Sequence, residues 1–147
     1  MVEQNRPVEI LLVEDNPGDE RLTREALKEG KVYNNLHWVK DGVEALDFLH
    51  QRGKHQGAPK PDIILLDLNL PKKDGREVLQ EINADERLMR IPVVVLTTSK
   101  AEEDVLKTYT LHANCYVTKP VDLEQFIKVV KSIDNFWLTV VTLPNGK

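Results

Sequence analysis

Asp62 to Pro71, DIILLDLNLP, is the stretch from which the rest of the chain can be read. Ile63, Ile64, Leu65 and Leu66 are four consecutive branched apolar residues. A run that short, with no polar alternation, suits a strand covered on both faces in a parallel sheet. Asp67 sits where the run gives out. In an open α/β sheet ligands bind beyond the carboxyl ends of the strands, so a carboxylate there can meet solvent-borne chemistry. Taken alone, Asp67 also admits a plainer reading, as the start of a turn completed by Pro71, Asp74 and Gly75. The choice depends on what ends the other strands.

Val8 to Val13 (VEILLV) repeats the pattern and ends in Glu14 and Asp15. Asn16, Pro17 and Gly18 then mark a helix start with Asp19 and Glu20 in its first turn. Leu22, Ala26 and Leu27 predict the buried stripe of that helix, and Gly30 its end. Leu36 to Val39 reads as a second strand, and Asp41-Gly42 leads into a helix with Ala45, Leu46 and Leu49 inward. The segment from His50 to Pro61 is polar with Gly and Pro, which predicts an exposed loop whose His50 and His55 match no metal spacing and read as solvated. Gly75 begins a helix with Val78, Leu79 and Ile82 inward. Val93 to Leu96 is a fourth apolar run, ending in Thr97. Ser99 with Glu102 has the form of a capping box for a fourth helix. Cys115 to Thr118 is a fifth short strand followed by Lys119-Pro120, and a fifth helix is expected from about Asp122.

A chain of 147 residues suits one domain. A formal charge of −4 without a Lys/Arg block argues against a nucleic-acid or anionic-membrane partner. No hydrophobic run reaches membrane-spanning length and MVEQNRP lacks the apolar core of a signal peptide, so a cytoplasmic protein is expected. The single cysteine, Cys115, with no CxxC and no clustered histidines, leaves neither an internal disulfide nor a zinc site.

Alternating strands and helices imply a parallel sheet with right-handed crossovers and helices on both faces. The strand ends then gather Glu14, Asp15, Asp67, Thr97 and Lys119 along one edge. Three carboxylates so placed repel one another unless a cation intervenes, and hard oxygen donors suit Mg²⁺ better than zinc. Thr97 can donate a hydrogen bond and Lys119 brings a positive charge, which is what the oxygens of a phosphoryl group require. Asp67 in the middle is then a nucleophile.

These residues carry a resemblance that spans the chain. Glu14-Asp15 after strand one, the acid in LLDLNLPKKDG, the threonine in VVVLTTS, and CYVTKP together resemble the receiver domain of bacterial two-component signalling. The resemblance implies a flavodoxin-like (CheY-like) doubly wound sheet of five parallel strands in the order 2-1-3-4-5. It implies that Asp67 is the phosphoacceptor and that Mg²⁺ is held by Asp15 directly, by Glu14 through water, by Asp67 and by the main-chain carbonyl of Asn69. Glu14 departs from the Asp often found at its position by one methylene. Thr97 and Lys119 would hold the phosphoryl oxygens, with Thr97 and Tyr116 as the switch pair. The long loop before strand three and the ending SIDNFWLTVVTLP resemble, more narrowly, the stand-alone response regulators that partner cyanobacterial phytochrome histidine kinases. A sensor histidine kinase, of phytochrome type on the narrower resemblance, is the implied partner.

Two other classes compete with this reading. Haloacid-dehalogenase phosphatases also form an aspartyl phosphate, but carry a second Asp two residues after the nucleophile, where this chain has Asn69. A degenerate receiver would act only as a binding module, yet the charged positions are all present. The receiver domain is expected over residues 1–135, with residues 136–147 as an extended interaction segment. Leu123, Phe126, Ile127, Val130 and Trp137 form one apolar stripe and Val129, Ile133, Phe136 and Val140 another, more than one helix can bury on a sheet. A homodimer is therefore expected, through the face of the fourth helix, fifth strand and fifth helix together with the tail.

Overall fold

The computed structural model describes residues 7–30, 33–97 and 115–118. Five parallel strands, β1 (Val8–Val13), β2 (Asn34–Val39), β3 (Ile63–Asp67), β4 (Val93–Thr97) and β5 (Cys115–Thr118), form one sheet in the order β2-β1-β3-β4-β5. The doubly wound topology expected from the sequence is the one observed. Every residue of β3 is buried, as an unbroken apolar run in a central strand requires. Val13 pairs with Leu66, so Glu14 and Asp67 are the next residues on two neighbouring strands. On the other side Asp67 is level with Leu96 and Thr97 with Thr118.

Three helices are described: α1 (Pro17–Glu29), α2 (Gly42–Leu49) and α3 (Gly75–Ala84). Each begins on a side-chain cap. Asn16 accepts from the N–H groups of Gly18 and Asp19, Asp41 from Glu44, and Asp74 with Glu77 forms a capping box. That capping box is one the sequence reading overlooked. Val78, Leu79 and Ile82 of α3 are buried as expected and join Leu11, Val13, Leu46, Phe48, Ile64 and Leu66 in one core cluster. Among the described residues no helix is long and apolar enough to cross a membrane.

The stripe of α1 keeps Ala26 and Leu27 from the sequence reading but not Leu22. Leu22 is 50% exposed, whereas Glu20 and Thr23 are buried with Ala26 and Leu27. Residues 20, 23, 26 and 27 follow the helical period, and Leu22 falls off that line. Polar groups survive on the buried line because they are paired. The Thr23 hydroxyl donates to Asp19 O at 3.0 Å, and Glu20 accepts from Arg24 at 2.7 Å. In α2, Phe48 is buried and Leu49 sits at the edge of the core. β2 starts two residues before the expected Leu36, because Asn34 and Asn35 still pair with Val8 and Glu9 and the Asn35 amide donates to Glu9 at 3.0 Å.

The loop after α2 contains a 3₁₀ turn, Gly53–His55, and its histidines are not solvated. The His55 side chain is 17% exposed, lies edge-on to Phe48 with centroids 5.2 Å apart, and places Nε2 3.1 Å from Glu44 Oε2. Phe48 meets His37 on its other side at 5.3 Å. His50 Nε2 lies 4.0 Å from Asp85 Oδ2. Carboxylates elsewhere in the fold anchor what composition alone presents as free loop. The expected Ser99–Glu102 cap, the fourth and fifth helices and the tail lie outside the described residues.

Two predictions follow from packing and charge. A Cβ added at Gly75 would stand 2.4 Å from Asp67 O and 2.6 Å from Leu68 Cα, both backbone atoms that have little room to yield. Gly75→Ala should therefore cost about 1–3 kcal/mol, seen as a lower urea midpoint at unchanged slope. At Glu44, burial pushes the carboxyl up, but hydrogen bonds from Lys54, the Lys40 N–H and His55 outweigh it and hold the carboxyl below its ordinary 4.5. A depressed folded value stabilises the fold fully above the unfolded value and loses that stability as pH falls through the folded one. Protection factors of the amides in the 50–61 loop, taken against the intrinsic exchange rate at each pH, should thus fall on acidification below pH 4.5, and in Glu44→Gln they should already be lowered at neutral pH.

Candidate functional site

The carboxyl edge of the sheet brings Glu14, Asp15 and Asp67 together. One carboxylate oxygen from each can be chosen so that all lie within 4.8 Å of one another. Glu14 and Asp67 are 1% and 2% exposed, and Asp15 faces solvent. This proximity is a product of register, since β1 and β3 end in step and each delivers its acid at the first position past the shared ladder.

Backbone bonds fix the acids in place. The Glu14 N–H donates to Val39 O at 3.0 Å, and the Trp38 indole N–H donates to Glu14 O at 2.6 Å. Glu14 Oε2 accepts from the Asn16 N–H at 3.2 Å, while Asn16 caps α1 with its own side chain. The acidic turn is thus held by β2 on one side and by the helix start on the other. Asp67 Oδ1 accepts from the Asn69 N–H at 3.0 Å, which orients the carboxylate. The Gly75 N–H donates to Leu68 O at 3.0 Å, tying the start of α3 to the chain just past Asp67. Between them Lys72 takes a left-handed conformation, φ 67°, with Nζ 3.7 Å from Asp41 Oδ2.

Three ionised carboxylates at this separation repel by about 3 kcal/mol per pair at an effective dielectric of about 20. A divalent cation turns that repulsion into attraction. The donors are all hard oxygens, and Asp15 opens to solvent, so water can complete an octahedral shell of the kind Mg²⁺ or Mn²⁺ adopts. No nitrogen or sulfur donor among the described residues joins the cluster to suit zinc. The residues present fit a hard divalent ion.

The other expected site residues are placed less completely. Asn69 is exposed two residues past Asp67 and touches it through its N–H. Thr97 ends β4 one position beyond the residue level with Asp67, and Tyr116 pairs with Val95 on β5, both as backbone. Lys119 lies outside the described residues. Trp38 was missed by sequence reasoning. A large aromatic with an N–H at the carboxyl end of the strand beside β1 was the available signal.

Residues 10–131 match the family model of the response regulator receiver domain. The chain is 54% identical over 142 residues to response regulator Rcp1 of Synechocystis sp., covering 97% of each chain. Among solved structures it is similar to the phosphorylated cyanobacterial phytochrome response regulator RcpA, with a TM-score of 0.76 and 53% identity over 95% of this chain and 99% of that one. It is likewise similar to the Mn²⁺-bound form of Rcp1, with a TM-score of 0.75 and 54% identity over 94% and 99%. With this sheet order and an acidic cluster at the strand ends, the chain belongs to the response regulator receiver domain family.

Proposed function

We propose that Asp67 accepts a phosphoryl group from a phosphohistidine of a sensor histidine kinase, and that the modified domain signals through contacts with other proteins. The observation that carries this reading is the placement of Asp67, buried at the end of a central strand and within 4.8 Å of two further carboxylates. A carboxylate oxygen of Asp67 forms the new bond to phosphorus as the bond to the histidine nitrogen breaks. Positioning and charge stabilisation are most of what such a transfer needs.

The ion we assign is Mg²⁺, held by Asp67, Asp15, Glu14 and the Asn69 carbonyl, and when bound it supplies Lewis-acid stabilisation of the charge on the phosphoryl oxygens. The Asn69 N–H on Oδ1 keeps the Asp67 carboxylate in one plane. Thr97 and Lys119 receive the phosphoryl oxygens, and Tyr116 follows Thr97 in the switch. The output is a shift of population toward the arrangement that the new dianion favours. The likeness to RcpA, named as a cyanobacterial phytochrome response regulator, supports a phytochrome kinase as donor. On this reading the protein works in the cytoplasm, with a receiver domain over residues 1–135 and a C-terminal segment, 136–147, that serves self-association.

With Mg²⁺ and either a phosphorylated histidine kinase or acetyl phosphate, the protein should gain one phosphoryl group that hydroxylamine removes, as it does from an acyl phosphate, read by intact mass. Asp67→Asn should lower labelling at least about 100-fold, and EDTA should do the same to the wild type. Labelling of Asp67→Asn at another carboxylate overturns the assignment. Self-association is tested by sedimentation of the full chain beside a chain ending at Asn135, each with and without acetyl phosphate. A full chain that stays monomeric at high micromolar concentration in both states removes the dimer.

A further inference from the structure

We propose that Trp38 is a positioning residue for the carboxylate cluster, setting the geometry in which the two acids after β1 meet a cation; the inference rests on the cluster being a divalent-ion site. The indole N–H donates to Glu14 O at 2.6 Å, a short bond for this donor type. That carbonyl belongs to the peptide joining Glu14 to Asp15. Because a peptide unit is planar, holding its oxygen fixes the plane that carries the Cα atoms of both acids. The Glu14 N–H is held as well, by Val39 O. Two successive residues of β2 therefore grip both backbone groups of Glu14.

The indole acts where the sheet has run out of backbone donors on this side. Val13↔Val39 is the last pair of the β1–β2 ladder, and the chain then turns at Asp41, which caps α2. A longer β2 would offer a backbone N–H to Glu14 O. Trp38 offers a side-chain N–H instead. Lys40 Nζ lies 4.9 Å from the indole ring centroid, and a cation over the ring strengthens the N–H as a donor. The arrangement also makes Trp38 a reporter, since its dipole contacts the backbone of a cluster residue.

A plainer account is that a half-buried tryptophan simply satisfies its N–H, with no consequence for the acids. Mg²⁺ binding by the full chain separates the two, measured by calorimetry and by indole fluorescence. The chain has two tryptophans, so Trp137→Phe isolates the signal of Trp38. In that background the fluorescence change on adding Mg²⁺ should persist, and Trp38→Phe should abolish it in the wild-type chain. The decisive variant carries benzothienylalanine at position 38 in the Trp137→Phe background, which keeps the ring shape and replaces only the N–H by sulfur. Its Mg²⁺ dissociation constant should rise about five- to tenfold under conditions where urea melts show both it and its parent fully folded. Binding within about twofold of the parent overturns the inference while leaving the metal site standing. A wild-type chain with no calorimetric Mg²⁺ binding at millimolar concentration overturns the metal reading and the inference with it.

Discussion

Like charges held close at the ends of adjacent strands are the constraint on which this structure turns. Glu14 and Asp67 are buried, and Asp15 stands within the same few ångströms. A fold tolerates such a cluster only if its backbone is stiff enough to resist the repulsion and an ion or proton relieves it. Parallel pairing provides the stiffness. Val13↔Leu66 and Val13↔Val39 leave β1, β2 and β3 ending level, so the position of each acid is inherited from ladders rather than from loop packing. A one-residue slip of β3 would send Asp67 to the opposite face and disperse the cluster.

The helices reach the same edge through close backbone contacts. A Cβ at Gly42 would stand 2.0 Å from Lys73 O, so the start of α2 presses directly on the loop that follows Asp67. Gly75 plays the corresponding part for α3 against Asp67 O and Leu68. That loop is therefore gripped from two sides by helix N-termini, with Lys72 left-handed between them and linked to the cap of α2 through Asp41. A charge added at Asp67 would act on a loop with little freedom to absorb it locally. Any response must then move packed elements as units, which is how small shifts are amplified in a close-packed protein.

Legibility in the sequence followed the physics of each signal. Asp67 was readable because an unbroken apolar run can end in an acid only at a strand terminus, and the alternation of runs and helices then put the other acids beside it. Strand order was not readable from spacing and came from the family resemblance. Leu22 misled because apolar identity was taken as burial, whereas pairing of Glu20 with Arg24 and of Thr23 with Asp19 let polar residues take the inward line. His55 misled in the opposite direction. Its partner Glu44 is eleven residues away, and its contact with Phe48 exists only once the loop has folded back. Trp38 belongs to the same class, because a bond between residues 24 apart leaves no periodic trace.

The edge strand shows how one element can serve two demands. β2 has β1 on one side only, and its residues are mostly half-buried, so it presents the kind of open edge that invites pairing with another chain. Asn34, Asn35 and His37 make it polar, and the last two are bound to Glu9 of β1 at 3.0 and 2.7 Å. A β-branched residue at position 38 would suit strand propensity equally well. It would carry no donor to reach across to Glu14, and no ring for Lys40 to cover. Substitution at this position therefore touches the Lys40–ring contact and the acidic turn together, and the two effects separate only when the N–H is removed while the ring shape is kept.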